Sequence, residues 1–263
     1  MRRSGVRAAL QAAAIPTFEA SRGAAGALRF VRAPGSLPPG RRVYAIGDIH
    51  GQRDRLGAVH GLIAADLAAR PGRSAMLIHL GDYIDQGPDS AGVVALLAAG
   101  RPVAGLSVVN LLGDHERMLL DALSGDRAAA TDWLWAGGRE ALASWGLDPG
   151  LPREAWEAAL PPDHIAWLRS LDLTHREGSY LFVHAGIRPG VKLADQTADD
   201  LVSMRQPFLS TEQDLGVVIV HGHSTLPSAQ VAANRIGIDT GAGIGGRLTC
   251  AVLEDDVVGF VAV

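Results

Sequence analysis

From Arg42 onward, short apolar runs alternate with longer stretches of helical periodicity, and each of the first three runs stops at a Gly-Asp pair. Val43-Tyr44-Ala45-Ile46 runs into Gly47-Asp48, Ala75-Met76-Leu77-Ile78-His79-Leu80 into Gly81-Asp82, and residues 108–112 into Gly113-Asp114. Between the first two runs, Leu56, Val59, Ile63 and Leu67 fall on one helix face before the stop signal Pro71-Gly72. Residues 93–99 read as a second helix. Strand, loop and helix repeating at intervals of about thirty residues specify an α/β domain. Four later runs, 180–183, 217–220, 235–238 and 248–253, read as further strands of it.

The 263 residues fit one large domain, 41–263, with no internal repeat and no second-domain linker. Its middle, about 116–171, reads as helical and holds Trp133, Trp135, Trp145, Trp156 and Trp167, for which core packing is the expected role. Residues 1–40 form a poorly patterned arm rich in Ala, Arg, Gly and Pro. Arg2 and Arg3 before an alanine-rich run are faintly like a signal peptide, but Gln11 interrupts a short run poor in Leu, Ile and Val, so an arm or packed helix is expected. No run approaches the roughly eighteen apolar residues of a membrane span. A net charge of -4 argues against nucleic acid as a partner. Cys250, the lone cysteine, sits in an alternating strand-like setting, which predicts a buried inert thiol, no intramolecular disulfide and a reducing, cytoplasmic location.

The strand ends carry the chemistry. The first gives Asp48 and His50; the second gives Asp82, Asp85, Gln86 and then Gly87-Pro88-Asp89-Ser90; the third gives Asp114, His115 and Glu116. Two later ends give His184-Ala185-Gly186 and His221-Gly222-His223. A lone Asp-x-His on a loop is usually a cap or a solvated pair, and Gly-Asp at a strand end is common turn chemistry. The ordered set is what carries weight, because α/β sheets place their sites at strand C-terminal ends. Carboxylate and imidazole ligands suit Mn, Fe, Zn or Co rather than Ca or a thiolate-bound ion. Two such ions a few ångströms apart clamp attacking and leaving oxygens and acidify a bridging water, as phosphoryl hydrolysis requires. His60, His79, His164 and His175 have no ligand context and are expected as surface or hydrogen-bonded polar residues.

Taken in order, these blocks resemble the phosphoprotein phosphatase family of metallophosphoesterases, whose pattern is GDxHG, GDxxDRGxxS, GNHE and two later histidines. The resemblance runs from about Arg42 to about Val252 and is nearest to the bacterial serine/threonine branch, with its short His184-Ala185-Gly186 block and its Ile238-Asp239-Thr240-Gly241 segment. The related diadenosine tetraphosphate hydrolases share the same site. The resemblance implies an α/β fold, a β-sandwich of two mixed sheets flanked by helices, with a dinuclear metal site on strand C-terminal loops. It gives Asp48 and His50 to one metal, Asp82 to both, and Asp114, His184 and His223 to the second, with manganese expected and Fe, Zn or Co as alternatives. It makes His115 the general acid that protonates the leaving alkoxide, oriented and kept protonated by Asp85, while Arg205 grips phosphate. His221 is the weaker of its pair, because the family pattern makes the histidine after glycine the ligand.

Three positions depart from that pattern. Gln86 replaces the arginine of DRG, Asp114 replaces the asparagine of GNHE, and Ser203 stands where bacterial relatives carry an aromatic residue. One positive charge lost and one negative charge gained leave the site two units less positive. The expected activity is hydrolysis of phosphomonoesters, with phosphoserine or phosphothreonine in protein as substrate; Gly87-Pro88-Asp89-Ser90 and Glu116 are closer to protein phosphatases than to the dinucleotide hydrolases. A dinucleoside polyphosphate or nucleotide hydrolase is one alternative. A weakly active, metal-binding pseudophosphatase is another, motivated by Gln86 and Asp114. The expected partner is a phosphorylated substrate, with neither nucleic acid nor membrane, and the oligomeric state stays open.

Overall fold

The computed structural model describes residues 28–263 and the backbone of two short strands, β1 (Thr17–Phe18) and β2 (Ser21–Arg22). The signal-like run and most of the expected 1–40 arm lie outside the described residues. Within the remainder of that arm, β3 (Phe30–Arg32) pairs antiparallel with the last strand of the chain.

Strands β4 (Arg41–Ile46), β5 (Ser74–His79) and β6 (Ser107–Asn110) run parallel, with Ile46 beside His79 and His79 beside Asn110. Their C-terminal ends are therefore level. Helices α1 (Arg53–Ala69) and α2 (Ser90–Ala98) lie in the two crossovers, which parallel neighbours require. On the other side of β4 the chain returns antiparallel through β12 (Thr249–Glu254) and β13 (Val257–Ala262), giving the order β2-β13-β12-β4-β5-β6. The second sheet holds β7 (Thr174–Glu177), β8 (Tyr180–Val183), β9 (Val218–His221), β10 (Ala229–Val231) and β11 (Arg235–Gly237), in the order β1-β10-β11-β9-β8-β7. There β8, β9 and β11 are parallel. The expected sandwich of two mixed sheets is what forms. Strands β1, β2, β3, β7, β10 and β13 are not among those expected from the sequence.

Alternation along each strand sends side chains to two different cores. Val43, Ala45 and Ile78 of the first sheet meet Phe182, Val220 and Ile236 of the second in the sandwich interior. Tyr44, Ile46 and Leu77 face the other way, into a cluster with Leu56, Val59 and Ile63 of α1 and Val93 of α2. Both faces are dry, so these strands read as continuous apolar runs. Full burial of each such side chain is worth about 1.5–3 kcal/mol.

The middle segment packs on that helical side as α3 (Asp114–Leu123), α4 (Arg127–Trp133), a wide π-type turn at Leu134–Gly138, α5 (Arg139–Ser144), α6 (Arg153–Ala159) and α7 (Pro162–Arg169). Trp133 and Trp156 are buried as expected, but Trp135 is 80% exposed. It lies in the wide turn, where the extra residue breaks the 3.6-residue spacing that buries Trp133. The outer face of the second sheet is covered by α8 (Ala198–Ser203) with Met204 and Phe208.

Candidate metal centre and acid dyad

The level strand ends bring five loops around one cavity of about 110 Å³, lined by Asp48, His50, Asp82, Gln86, Asp114, His115, Arg205 and His223, with Asp239 and Ile244 at its side. Close approach is what the glycines permit. Gly81 has φ +109, and a Cβ there would lie 2.7 Å from the Gly113 nitrogen and 2.8 Å from His184 Nδ1. A side chain at Gly222 would run into the Asp48 carboxylate. The loops also hold non-glycine residues in the left-handed region: His50 at φ 45, Asp82 at 52, Asp85 at 71, Gln86 at 60 and His223 at 60.

Four of the expected ligands, Asp82, Asp114, His184 and His223, bring donor atoms within 4.8 Å of one another. His184 Nε2 lies 2.9 Å from Asp114 Oδ1 and 3.4 Å from Asp82 Oδ1, and His223 Nδ1 lies 3.0 Å from Asp114 Oδ1. His184 Nδ1 donates to the Leu80 carbonyl at 2.9 Å, which fixes the ring and leaves Nε2 facing the cluster. His50, Asp82 and His115 form a second group within the same limit, so Asp82 is common to both. His50 Nδ1 donates to the Ile84 carbonyl at 3.0 Å, and its Nε2 sits 3.5 Å from Asp82 Oδ2. Asp48 lines the cavity but belongs to neither group; its carboxylate accepts the His223 backbone N–H at 2.9 and 3.1 Å.

The electrostatics match that crowding. Burial, and then the neighbouring carboxylates of Asp239 and Asp82, push Asp48 well above the usual carboxylate range. Burial and the Asp114 charge push Asp82 up to about 8. Asp114 goes the other way: burial opposes its charge, but hydrogen bonds from His184 and His223 hold it well below the usual range. His50 is pushed down to about 3 by burial. Buried acids that repel one another, interleaved with imidazole nitrogens fixed by backbone carbonyls, fit divalent cations of the Mn, Fe, Zn type.

His115 of the second group is also paired with a residue outside both groups. His115 Nδ1 lies 2.7 Å from Asp85 Oδ2, with Asp85 fully buried. Burial works against the imidazolium, but the Asp82 charge and the Asp85 hydrogen bond raise His115 to about 10. Burial raises Asp85 to about 6 in spite of His115. With Nδ1 engaged by Asp85, Nε2 is the His115 ring nitrogen left for the cavity that the residue lines.

Arg205 and Gln86 both line the cavity and both are exposed. Arg205 Nη2 donates weakly to the His223 carbonyl at 3.4 Å, and among the described residues its remaining N–H groups have no partner, which leaves them to a ligand. His221 is turned away: its Nδ1 donates to the Gly222 carbonyl at 3.0 Å and its ring packs on Phe208. His60 and His79 are buried together, Nε2 to Nε2 at 3.1 Å, with His79 Nδ1 2.8 Å from Asn110 Oδ1. His164 accepts from Trp145 at 2.9 Å, and His175 lies 3.7 Å from Glu177.

Sequence reasoning left three contributors without a role. Glu116 is fully buried, and its carboxylate accepts backbone N–H groups of Tyr83 at 2.7 Å, Asp82 at 2.9 Å, Gly113 at 3.0 Å and Ile84 at 3.2 Å. It thus ties the second loop to the third. Its signal in the sequence was a glutamate three residues after the helix N-cap, Gly113, whose backbone N–H it accepts. Asp239 accepts from Thr225 Oγ1 at 2.9 Å and from the Gly241 nitrogen at 2.8 Å while its charge bears on Asp48. Trp133 donates its indole N–H to Asp85 at 2.9 and 3.1 Å, and no local pattern marks it.

A two-sheet sandwich with carboxylate and imidazole donors on its parallel strand ends defines a metal-dependent phosphoesterase. The chain belongs to the calcineurin-like phosphoesterases, whose family pattern matches residues 41–254. It is 28% identical over 220 residues to serine/threonine-protein phosphatase 1 of Salmonella typhimurium, covering 81% of this chain and 93% of that one. It is 32% identical over 148 residues to the symmetrical bis(5'-nucleosyl)-tetraphosphatase of Methylococcus capsulatus, covering 56% of this chain and 44% of that one. The chain thus spans less than half the length of that relative. Among solved structures, a cold-active protein-tyrosine phosphatase from a Shewanella species superposes with a TM-score of 0.56 at 20% identity, covering 84% of this chain and 79% of that one, a likeness of fold alone.

Proposed function

We propose that this chain hydrolyses phosphomonoesters, with phosphoserine and phosphothreonine residues of proteins as its substrates. The observation that carries the reading is the His115–Asp85 pair at 2.7 Å, with His115 reaching one of the two donor groups that share Asp82. Asp48, His50 and Asp82 would hold one divalent ion, and Asp82, Asp114, His184 and His223 the other, with manganese as the proposed metal. When bound, the two ions neutralise phosphate charge and supply an activated water. Arg205 grips a phosphate oxygen through its planar fork, and Gln86 offers a neutral amide from the opposite loop. His115 gives its Nε2 proton to the departing alkoxide, while Asp85 keeps the ring oriented and charged, the usual service of a general acid and its partner. The match to the Salmonella phosphatase over 81% of this chain supports the protein substrate over the tetraphosphatase reading, which rests on a match to 56% of the chain.

The dinucleoside polyphosphate reading stays as the second, because that shorter match carries the higher identity. A weakly active pseudophosphatase is the third, favoured by Gln86 and Asp114. No helix among the described residues is long and apolar enough to cross a membrane, and a cytoplasmic location is proposed from the lone buried cysteine. Turnover of p-nitrophenyl phosphate, a phosphoserine peptide and diadenosine tetraphosphate, each with added Mn(II), separates the three. The protein-phosphatase reading expects the first two to be hydrolysed. Cleavage of diadenosine tetraphosphate with an untouched phosphopeptide overturns it, and no turnover of any substrate leaves the pseudophosphatase.

A further inference from the structure

Trp133 is fully buried, and its indole N–H is its one polar atom. A buried indole N–H needs an acceptor, and a backbone carbonyl normally suffices; Trp156 finds one in Leu151 at 3.1 Å. Trp133 instead donates to the carboxylate of Asp85, 2.9 Å from Oδ2 and 3.1 Å from Oδ1. The same Oδ2 accepts from His115 Nδ1 at 2.7 Å. The Asp85 backbone N–H is held by Ser90 Oγ at 2.9 Å, so both ends of the residue are tied. The wide turn after α4 is shaped around this contact. Gly137, at φ +121, brings its backbone so near that a Cβ would lie 2.6 Å from the Gln86 nitrogen and 3.0 Å from Asp85 Cβ. At Gly138 a Cβ would lie 2.5 Å from the indole ring.

We infer that Trp133 is a positioning residue for the acid dyad, its N–H locking the Asp85 carboxylate so that His115 presents Nε2 to the leaving oxygen. The inference rests on the phosphomonoesterase reading. Two donors converging on one carboxylate fix its rotation, and with it the plane of the imidazole. Without the indole N–H the carboxylate keeps, among the described residues, the His115 donor alone and is free to turn about its last bond. The acid step then suffers while phosphate binding, made by Arg205 and the metal groups, does not.

The test is Trp133→Phe, which keeps an aromatic ring and removes the donor, compared in the manganese-loaded full chain with Trp156→Phe as a packing control. For a phosphoserine peptide, kcat should fall roughly tenfold with KM unchanged, about what one hydrogen bond to a charged group is worth. For p-nitrophenyl phosphate, whose leaving group needs little protonation, the fall should stay under about threefold. In an Asp85→Asn background the same change should add nothing, because its route to His115 is already cut. Equal losses on the two substrates, or full additivity with Asp85→Asn, overturn the inference. A readout independent of turnover is the downfield proton NMR signal of His115 Nδ1–H in the metal-free chain. It should move upfield or broaden in Trp133→Phe and stay in place in Trp156→Phe; an unmoved signal in Trp133→Phe overturns the positioning role even if no phosphoester is turned over. Wild-type inactivity with the signal shift present instead rejects the phosphatase reading and leaves the contact standing. Should Trp133→Phe fail to fold, 15N-labelled wild-type and Asp85→Asn chains carry the test, since the Trp133 indole resonance must shift when Asp85 loses its charge; a stationary indole resonance overturns the inference.

Discussion

Gln86→Arg restores the cation that the family pattern places on the second loop, and the structure sets how much it should matter. Gln86 is exposed at the cavity edge with φ 60, a conformation that arginine adopts no less readily than glutamine. Its Oε1 occupies the space that a Cβ on Gly243 would fill, so the side chain at 86 uses room that this glycine leaves open. The guanidinium would then reach the cavity opposite Arg205. One charge-assisted hydrogen bond is worth about 1.5–3 kcal/mol, or ten- to hundredfold. Two facts push toward the lower end: the position is open to solvent, which screens the charge, and His115, raised above the usual imidazole range, lines the same cavity. The expected gain is therefore about tenfold in kcat/KM on p-nitrophenyl phosphate, with inorganic phosphate becoming a competitive inhibitor about tenfold stronger. Both quantities come from steady-state kinetics with saturating Mn(II). An unchanged or lower kcat/KM, together with unchanged phosphate inhibition, refutes the charge argument and makes Gln86 a fitted contact to a different substrate.

His115→Ala should leave metal content unchanged and lower turnover about 10²–10⁴-fold on an alkyl phosphate, with a smaller loss on p-nitrophenyl phosphate; equal losses on both would remove His115 from the acid role. Asp114→Asn should weaken the second of two divalent sites while sparing the first, read as bound metal per chain after dialysis against graded Mn(II), and identical occupancy in both proteins would show that the Asp114 charge adds nothing to metal affinity. The buried pair His60 and His79, pushed down to about 4 and about 3 by burial, stays neutral in the folded chain while the unfolded chain binds protons near pH 6.5. The unfolded state therefore takes up more protons below that pH, and stability should fall by on the order of 4 kcal/mol for the pair between pH 7 and pH 5, about 1.4 kcal/mol per pH unit for each histidine below about pH 6. Urea unfolding at pH 7 and pH 5 measures it, and His60→Gln should flatten the slope; a slope unaltered by that change would place the acid sensitivity elsewhere.

Much of this molecule was legible because its chemistry is local. Asp48, Asp82 and Asp114 each follow a glycine at the end of an apolar run, and a parallel register that levels Ile46, His79 and Asn110 is enough to bring them together. His184 and His223 were legible only through the order of blocks, since nothing in β8 or β9 alone says that the second sheet closes over the first. The missed strands past residue 40 fail for identifiable reasons. Thr174–Glu177 is a polar outer strand, Ala229–Val231 spans three residues, and Val257–Ala262 carries a glycine in a short hairpin after Asp255-Asp256. Trp133 and Trp135 differ by two positions, yet one is sealed against Asp85 and the other stands in solvent. Only the wide turn decides between them, and it depends on Gly137 and Gly138 meeting a loop about fifty residues earlier in the chain, which no local pattern encodes.

Five of the six described non-glycine residues with positive φ sit in the site: His50, Asp82, Asp85, Gln86 and His223, with Asp255 in a distant hairpin as the sixth. Each costs on the order of 1 kcal/mol against a relaxed backbone, so together they withhold roughly 5 kcal/mol from a fold whose net stability is of the order of 5–15 kcal/mol. Activity and robustness are thus set against one another at named positions. A descendant of this chain released from catalysis would gain ruggedness by admitting glycine or asparagine at these bends, and Gln86, which belongs to neither donor group, is where that drift costs least.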